Sequence, residues 1–141
     1  MTRSKNLNIL LVDDDAVDRE LFREALLKTS IKCVLNEASG GEEAIRFLEN
    51  QGGVPALIVL DLNMPLKDGR QTLKEIKASK DFKHIPVVVL STSNSYFDVL
   101  QSYEAGASLF LEKPHDFNDL TDMLLHLLSL TGKYASFVKK N

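Results

Sequence analysis

The chain has 141 residues, 44% of them apolar and 26% charged, with a formal net charge of −3. That is one domain's worth of ordinary globular sequence, and its acidic balance argues against a nucleic-acid face, which would need clustered lysine and arginine. No apolar run approaches the roughly 20 residues of a membrane span and the N-terminus has no signal-peptide core. A soluble cytoplasmic protein is expected, its single cysteine, Cys33, a buried structural thiol within "IKCVL".

In chain order, the first expected strand is "NILLV" (Asn8–Val12), followed by a helix in which Val17, Leu21, Ala25 and Leu26 share a face. A weaker strand, Cys33–Ala38, leads into "SGGE" (Ser39 to Glu42), which has the spacing of a capping box ahead of Ala44, Ile45 and Leu48. The third strand is "ALIVL" (Ala56–Leu60), with Leu73 and Ile76 on the helix after Gly69. The fourth is "VVVL" (Val87–Leu90), and the helix of Tyr96, Leu100 and Tyr103 runs to Gly106, a left-handed stop. After "SLFL" (Ser108–Leu111), the last stripe is Phe117, Leu120, Leu124, Leu127 and Leu128, with Asp116 and Asp119 complementing the helix dipole at its start.

Apart from Cys33–Ala38, these strands are continuously apolar, as parallel strands covered on both faces should be. Five strand–helix repeats in this length specify an α/β fold, an open doubly wound parallel sheet with right-handed crossovers. A closed eightfold barrel would need far more chain. Such sheets bind ligands beyond the carboxyl ends of their strands, so the strand ends are where chemistry is to be sought.

Those ends are polar and chemically diverse. Asp13, Asp14 and Asp15 follow the first strand, Asp61 and Asn63 the third, Ser91, Thr92 and Ser93 the fourth, and Glu112, Lys113 and Pro114 the fifth. The second ends with no acid but Glu37. Carboxylates within ~4 Å repel by about 4 kcal/mol per pair at an effective dielectric near 20. They must share a proton or hold a cation, and hard oxygen ligands select Mg²⁺ or a similar ion that keeps waters and accepts a phosphate oxygen. Asp13, Asp14 and Asp61 therefore point to a divalent-ion site, with Asp15 a helix cap.

Ser91 lacks a general base, because His84 lies at the far end of its strand, His126 on the last helix and His115 in a loop. Asp61 is the better nucleophile, since carboxylates form acyl-phosphates. Lys113 then supplies fixed positive charge to the transferred group and the Ser91 hydroxyl donates to one of its oxygens.

Taken together, "ILLVDDD", "LIVLDLNMPLKDG", "IPVVVLSTS" and "GASLFLEKP" resemble the receiver domain of two-component response regulators, over Asn8 to about Leu130. The resemblance implies the flavodoxin-like strand order 2-1-3-4-5, which is also that of CheY. It implies that Asp61 is the phosphoacceptor, taking a phosphoryl group from the phosphohistidine of a sensor histidine kinase or a phosphotransfer protein. It further implies Mg²⁺ bound directly by Asp14, Asp61 and the main-chain carbonyl of Asn63, with Asp13 acting through water. Ser91 and Phe110 take the switch positions, Asn63 and Ser93 those that tune dephosphorylation, and the Lys113–Pro114 bond is expected to be cis. Phosphorylation would draw in Ser91 and then Phe110, biasing the face formed by the fourth helix, fifth strand and fifth helix.

On this reading residues 1–130 are the receiver and 131–141 a tail with no output domain, so the protein catalyses only its own phosphorylation and dephosphorylation and signals through protein partners. Tyr134, Phe137 and Val138 make the tail apolar enough to pack on a second copy, giving a homodimer on the 4-5-5 face, or on its own last helix. "DFKHIPVVVLSTS" is similar to stand-alone receivers found beside bacterial phytochrome-type kinases. Two rivals on related chemistry fit poorly: a flavodoxin would place a phosphate-cradling loop where this chain is acidic, and Asp-nucleophile phosphatases need a DxDxT motif that "DLNMP" lacks. A phosphate-independent scaffold is the remaining alternative.

Overall fold

The structure, a computed structural model, describes residues 7–50, 54–64 and 68–129. Five strands, β1 (Leu7–Val12), β2 (Cys33–Ala38), β3 (Leu57–Asp61), β4 (Val87–Ser91) and β5 (Leu109–Glu112), alternate with α1 (Ala16–Thr29), α2 (Gly41–Asn50), α3 (Gly69–Ala78), α4 (Tyr96–Glu104) and α5 (Phe117–Ser129). All strand pairs are parallel and the order is β2-β1-β3-β4-β5, the expected flavodoxin-like arrangement. The expected tail, 131–141, lies outside the described residues.

The period of two along each central strand sorts its side chains into two layers. Ile9, Leu11, Leu57, Val59, Val88 and Leu90 pack against Phe22, Ala25 and Leu26 of α1 and Leu124 and Leu128 of α5. Leu10, Val12, Ile58, Leu60, Val87 and Val89 face Ala44 and Leu48 of α2 and Leu73 and Ile76 of α3. Every residue of β3 and β4 is buried, so the segments carrying Asp61 and Ser91 are held from both sides. Each large aliphatic side chain sealed there contributes about 2 kcal/mol of transfer free energy.

The edge strands depart from the continuous burial expected of β5. Its residues Leu109, Phe110 and Leu111 are only half-buried, because an outermost strand has one flank open to water. Cys33, on the opposite edge, is likewise half-buried rather than sealed, with burial pushing its thiol pKa up. On α1 the buried stripe is Phe22, Ala25 and Leu26, while Val17 and Leu21 are exposed. Both lie in the first two turns of the helix, ahead of the buried stripe. The expected apolar face of α4 is also exposed: Tyr96, Leu100 and Tyr103 stand in solvent and only Ser102 is buried. Gly106 does adopt a left-handed φ of 110° just past that helix.

Capping chemistry sets the helix starts nearest the strand ends. Asp15 accepts from Val17 N and Asp18 N, Asp68 from Gln71 N, and Ser95 from Asp98 N. The box before α2 is shifted by one residue from the expected Glu42: Ser39 donates through both N (2.6 Å) and Oγ (2.7 Å) to Glu43 Oε1. The helix begins at Gly41, which makes Glu43 its third residue and the one that reaches back.

Candidate functional site

Parallel pairing brings the ends of β1, β3, β4 and β5 to one edge of the sheet. Register places Val12 beside Leu60, Asp61 beside Leu90 and Ser91 beside Glu112. The residues immediately beyond therefore meet. One carboxylate oxygen each from Asp13, Asp14 and Asp61 lies within 4.8 Å of the others. Asp13 and Asp61 are buried and Asp14 is exposed, so the cluster has a buried floor and an open side.

Local backbone bonds orient the two buried acids. Asp13 Oδ1 accepts from Asp15 N at 2.9 Å, and Asp61 Oδ1 from Asn63 N at 3.2 Å. Lys113 reaches over them from the end of β5. Its Nζ is 3.2 Å from Asp13 Oδ2 and 3.7 Å from Asp61 Oδ2. Its shortest carboxylate contact, 3.0 Å, is to Asp18 Oδ2 on α1. Burial pushes the Asp61 carboxyl up to about 6, and the negative charges of Asp13 and Asp14 add to this against the opposing pull of Lys113. Asp13 is raised as well, again mainly by burial. Burial would lower the Lys113 pKa, but Asp61, Asp13 and Asp18 together hold it above its ordinary value. The protein has thus concentrated negative charge that one lysine only partly offsets, and its all-oxygen donors fit a hard divalent cation that retains water on the exposed side.

Of the remaining expected residues, Asn63 and Ser91 adjoin this cluster. Ser91 is fully buried at the end of β4, and its Oγ accepts from Asn63 Nδ2 at 3.3 Å and Ser93 N at 3.0 Å. Ser93 itself turns its hydroxyl to Asp98 Oδ2, 2.7 Å away. Phe110 lies half-buried on β5 against the α2–α3 layer, and its N–H donates to the Tyr103 hydroxyl at 3.1 Å. The Lys113–Pro114 bond, expected to be cis, is trans, as is every described peptide; trans is the ordinary preference of an X–Pro bond by about 0.5–1 kcal/mol. His115 lies in the loop after β5 and lines, with Leu11, Leu21, Phe22, Leu90 and Pro114 among others, a cavity of about 170 Å³ beside Asp13 and Lys113.

Several supporting residues were not anticipated. Asp18, on α1, left no local signal, because its partner Lys113 lies 95 positions away in the chain. Arg19 donates from Nη1 to the Asp13 carbonyl at 2.7 Å and from Nε to Glu37 Oε1 at 3.2 Å, while Arg23 grips both oxygens of Glu37 at 2.8 and 3.0 Å. Glu37 thus anchors the arginine that positions the Asp13 backbone. Gly69 does more than precede a helix. A Cβ there would run into the carbonyl oxygen of Asp61 and the backbone of Leu62, so α3 can begin directly beneath the acid only because this residue has no side chain. The Arg70–Asp98 ion pair spans 28 positions and left no local signal.

Comparison with known proteins agrees with this geometry. The sequence profile described as "Response regulator receiver domain" matches residues 9–125. Response regulator Rcp1 of Synechocystis sp. (strain PCC 6803) is 44% identical over 121 residues, covering 82% of each chain. The crystal structure of the Mn²⁺-bound form of Rcp1 superposes with a TM-score of 0.82 at 39% identity, over 94% of this chain and 99% of that one. The phosphorylated cyanobacterial phytochrome response regulator RcpA gives 0.87 at 33% identity, over 96% and 100%. Among the described residues no helix is long and apolar enough to cross a membrane.

Proposed function

Because the chain belongs to the response regulator receiver domain family of two-component systems, we propose that it accepts a phosphoryl group on Asp61 from a phosphohistidine and passes the signal to protein partners. The observation that carries this reading is the buried Asp61 carboxylate, set within reach of two further acids and one lysine. That combination is a poor structural salt bridge and a good acceptor. An Asp61 oxygen attacks phosphorus, the P–N bond to the donor imidazole breaks, and the imidazole leaves and takes up a proton. Three functions fall to this chain's own residues. The β3 end aims the nucleophile. Lys113 balances charge on the transferred group, and Ser91 donates its O–H to a phosphoryl oxygen.

Asp14, Asp61 and the Asn63 carbonyl would hold Mg²⁺ directly and Asp13 through water. The ion, when bound, screens the carboxylates from the incoming phosphate. The support for a divalent ion is the donor set itself, together with the Mn²⁺ bound in Rcp1. Asn63 and Ser93, flanking Asp61 and Ser91, would set how fast water removes the phosphoryl group, and Phe110 would follow Ser91 inward. Beyond this self-phosphorylation and self-dephosphorylation no catalysis on a separate substrate is proposed. The donor is a sensor histidine kinase or phosphotransfer protein, and RcpA's description as a phytochrome response regulator favours a phytochrome-type kinase. The exposed Tyr96, Phe97, Leu100 and Tyr103 of α4 support a partner, including a second copy of this chain, on the α4–β5–α5 face.

Intact mass after incubation with acetyl phosphate and Mg²⁺ tests the central step. Wild type is expected to gain one phosphoryl group, a gain absent when chelator replaces Mg²⁺ in the incubation, and Asp61→Asn to gain none. A folded wild type that gains nothing would favour the phosphate-independent scaffold.

A further inference from the structure

Beside Asp61, side chains tie the loop after β4 to the beginning of α3. Ser91 Oγ accepts two hydrogen bonds, from Ser93 N and Asn63 Nδ2, leaving its O–H free to donate. The Ser93 hydroxyl donates to one oxygen of Asp98, and the Arg70 guanidinium takes the other. Asp98 is itself fixed, because its N–H donates to the capping Ser95 Oγ at 3.1 Å and its carbonyl accepts from Ser102 Oγ at 2.9 Å. Arg70 stands in the first turn of α3, next to the Gly69 that packs under Asp61. The two loops that flank the acceptor are therefore joined through one carboxylate.

We propose that Arg70 and Asp98 are positioning residues for Ser91: with Asp98 holding Ser93 and Arg70 holding Asp98, they fix the resting place of the Ser91 hydroxyl and oppose its movement toward a phosphoryl group. This rests on Asp61 being the acceptor. Ser91 cannot move toward Asp61 without carrying the Ser93 N–H along or giving up that bond. Ser93 cannot follow while its own hydroxyl is anchored to Asp98. Arg70 matters because it holds Asp98 from the first turn of α3. Without it the β4–α4 segment can shift as a unit, while the Ser93–Asp98 bond and the α4 cap survive. An interaction made only in the resting state lowers affinity for any ligand that needs the other state, by the factor the interaction contributes.

The test is the affinity of the Mg²⁺-saturated protein for beryllofluoride, a phosphoryl mimic, by calorimetric titration, with thermal denaturation of each variant alongside. Arg70→Ala and Asp98→Ala are expected to bind about fivefold more tightly than wild type, the factor a partly buried ion pair of good geometry readily contributes. Arg70→Lys, which keeps the charge, is expected to stay within about twofold of wild type. The double variant should gain nothing beyond the tighter single one, because both act through Ser93. Unchanged or weaker binding in both alanine variants, with cooperative melting intact, would overturn the proposal and leave the Arg70–Asp98 pair as a structural link between α3 and α4 alone. If Asp98→Ala fails to fold, Arg70→Ala decides, since it leaves Asp98 and its bond to Ser93 in place. A wild type that neither binds beryllofluoride nor gains mass from acetyl phosphate would remove the acceptor reading, and this inference with it. Normal wild-type behaviour with unresponsive variants would remove the inference alone.

Discussion

Asp61 ionises against its surroundings, and that has a measurable consequence for stability. Burial and neighbouring acids lift its carboxyl from the ordinary 3.8 to about 6, roughly a hundredfold gain in proton affinity, equivalent to about 3 kcal/mol against the charged form. Between pH 4 and 6 the folded chain binds more protons than the unfolded one. Stability is therefore fully present below the unfolded value near 4 and declines as pH rises through the folded value. Asp13, raised in the same direction, shares this titration, which belongs to the pair rather than to either acid. Asp61→Asn removes the charge while keeping the shape. In chelator at pH 7.5 the variant is expected to be more stable than wild type by about 1–3 kcal/mol, or roughly 3 °C in Tm per kcal/mol. The gap should close at pH 4, where both side chains are neutral. Saturating Mg²⁺ should narrow or reverse it, because only wild type keeps the full ligand set. The assay is thermal denaturation by circular dichroism across pH, with chelator or Mg²⁺. A variant no more stable than wild type in chelator at pH 7.5 would refute the reasoning, for Asp61 would then be no better solvated by water than by the fold.

Other substitutions probe separate links. Lys113→Met removes the cation common to Asp13, Asp18 and Asp61 and is expected to slow phosphorylation by acetyl phosphate about a hundredfold, as loss of one transition-state donor does, read by mass against time. Gly69→Ala drives a methyl group into the Asp61 carbonyl and is expected to cost about 2–4 kcal/mol in urea denaturation while weakening Mg²⁺ binding. Ser30 holds a left-handed φ of 60° at the end of α1, so Ser30→Gly is expected to raise stability by about 0.5–1 kcal/mol and leave phosphorylation unchanged.

The fold and the acid cluster were legible because both rest on local rules. Apolar runs such as "VVVL" can only be buried parallel strands in this company, and acids placed just beyond them meet once the sheet forms. What stayed hidden depends on how helices seat on that sheet. Val17 and Tyr96 share helical periodicity with truly buried residues, yet Val17 at the start of α1 and the aromatic face of α4 are left in water. The true partner of Ser39 is Glu43 rather than Glu42 because the helix begins one residue later than the spacing suggested. Asp18 and the Arg70–Asp98 pair were invisible for a different reason: their roles exist only once β5 and α3 bring distant residues to them.

The central claim, that Asp61 carries the phosphoryl group, is tested most directly by finding the modified residue. Protein treated with acetyl phosphate and Mg²⁺ is reduced with borohydride, which converts an aspartyl phosphate to homoserine, and its peptides are mapped by mass spectrometry. The account predicts homoserine at position 61 alone and at no position in Asp61→Asn. Homoserine at Asp13 or Asp14 with Asp61 intact, or none in a folded wild type, would contradict it.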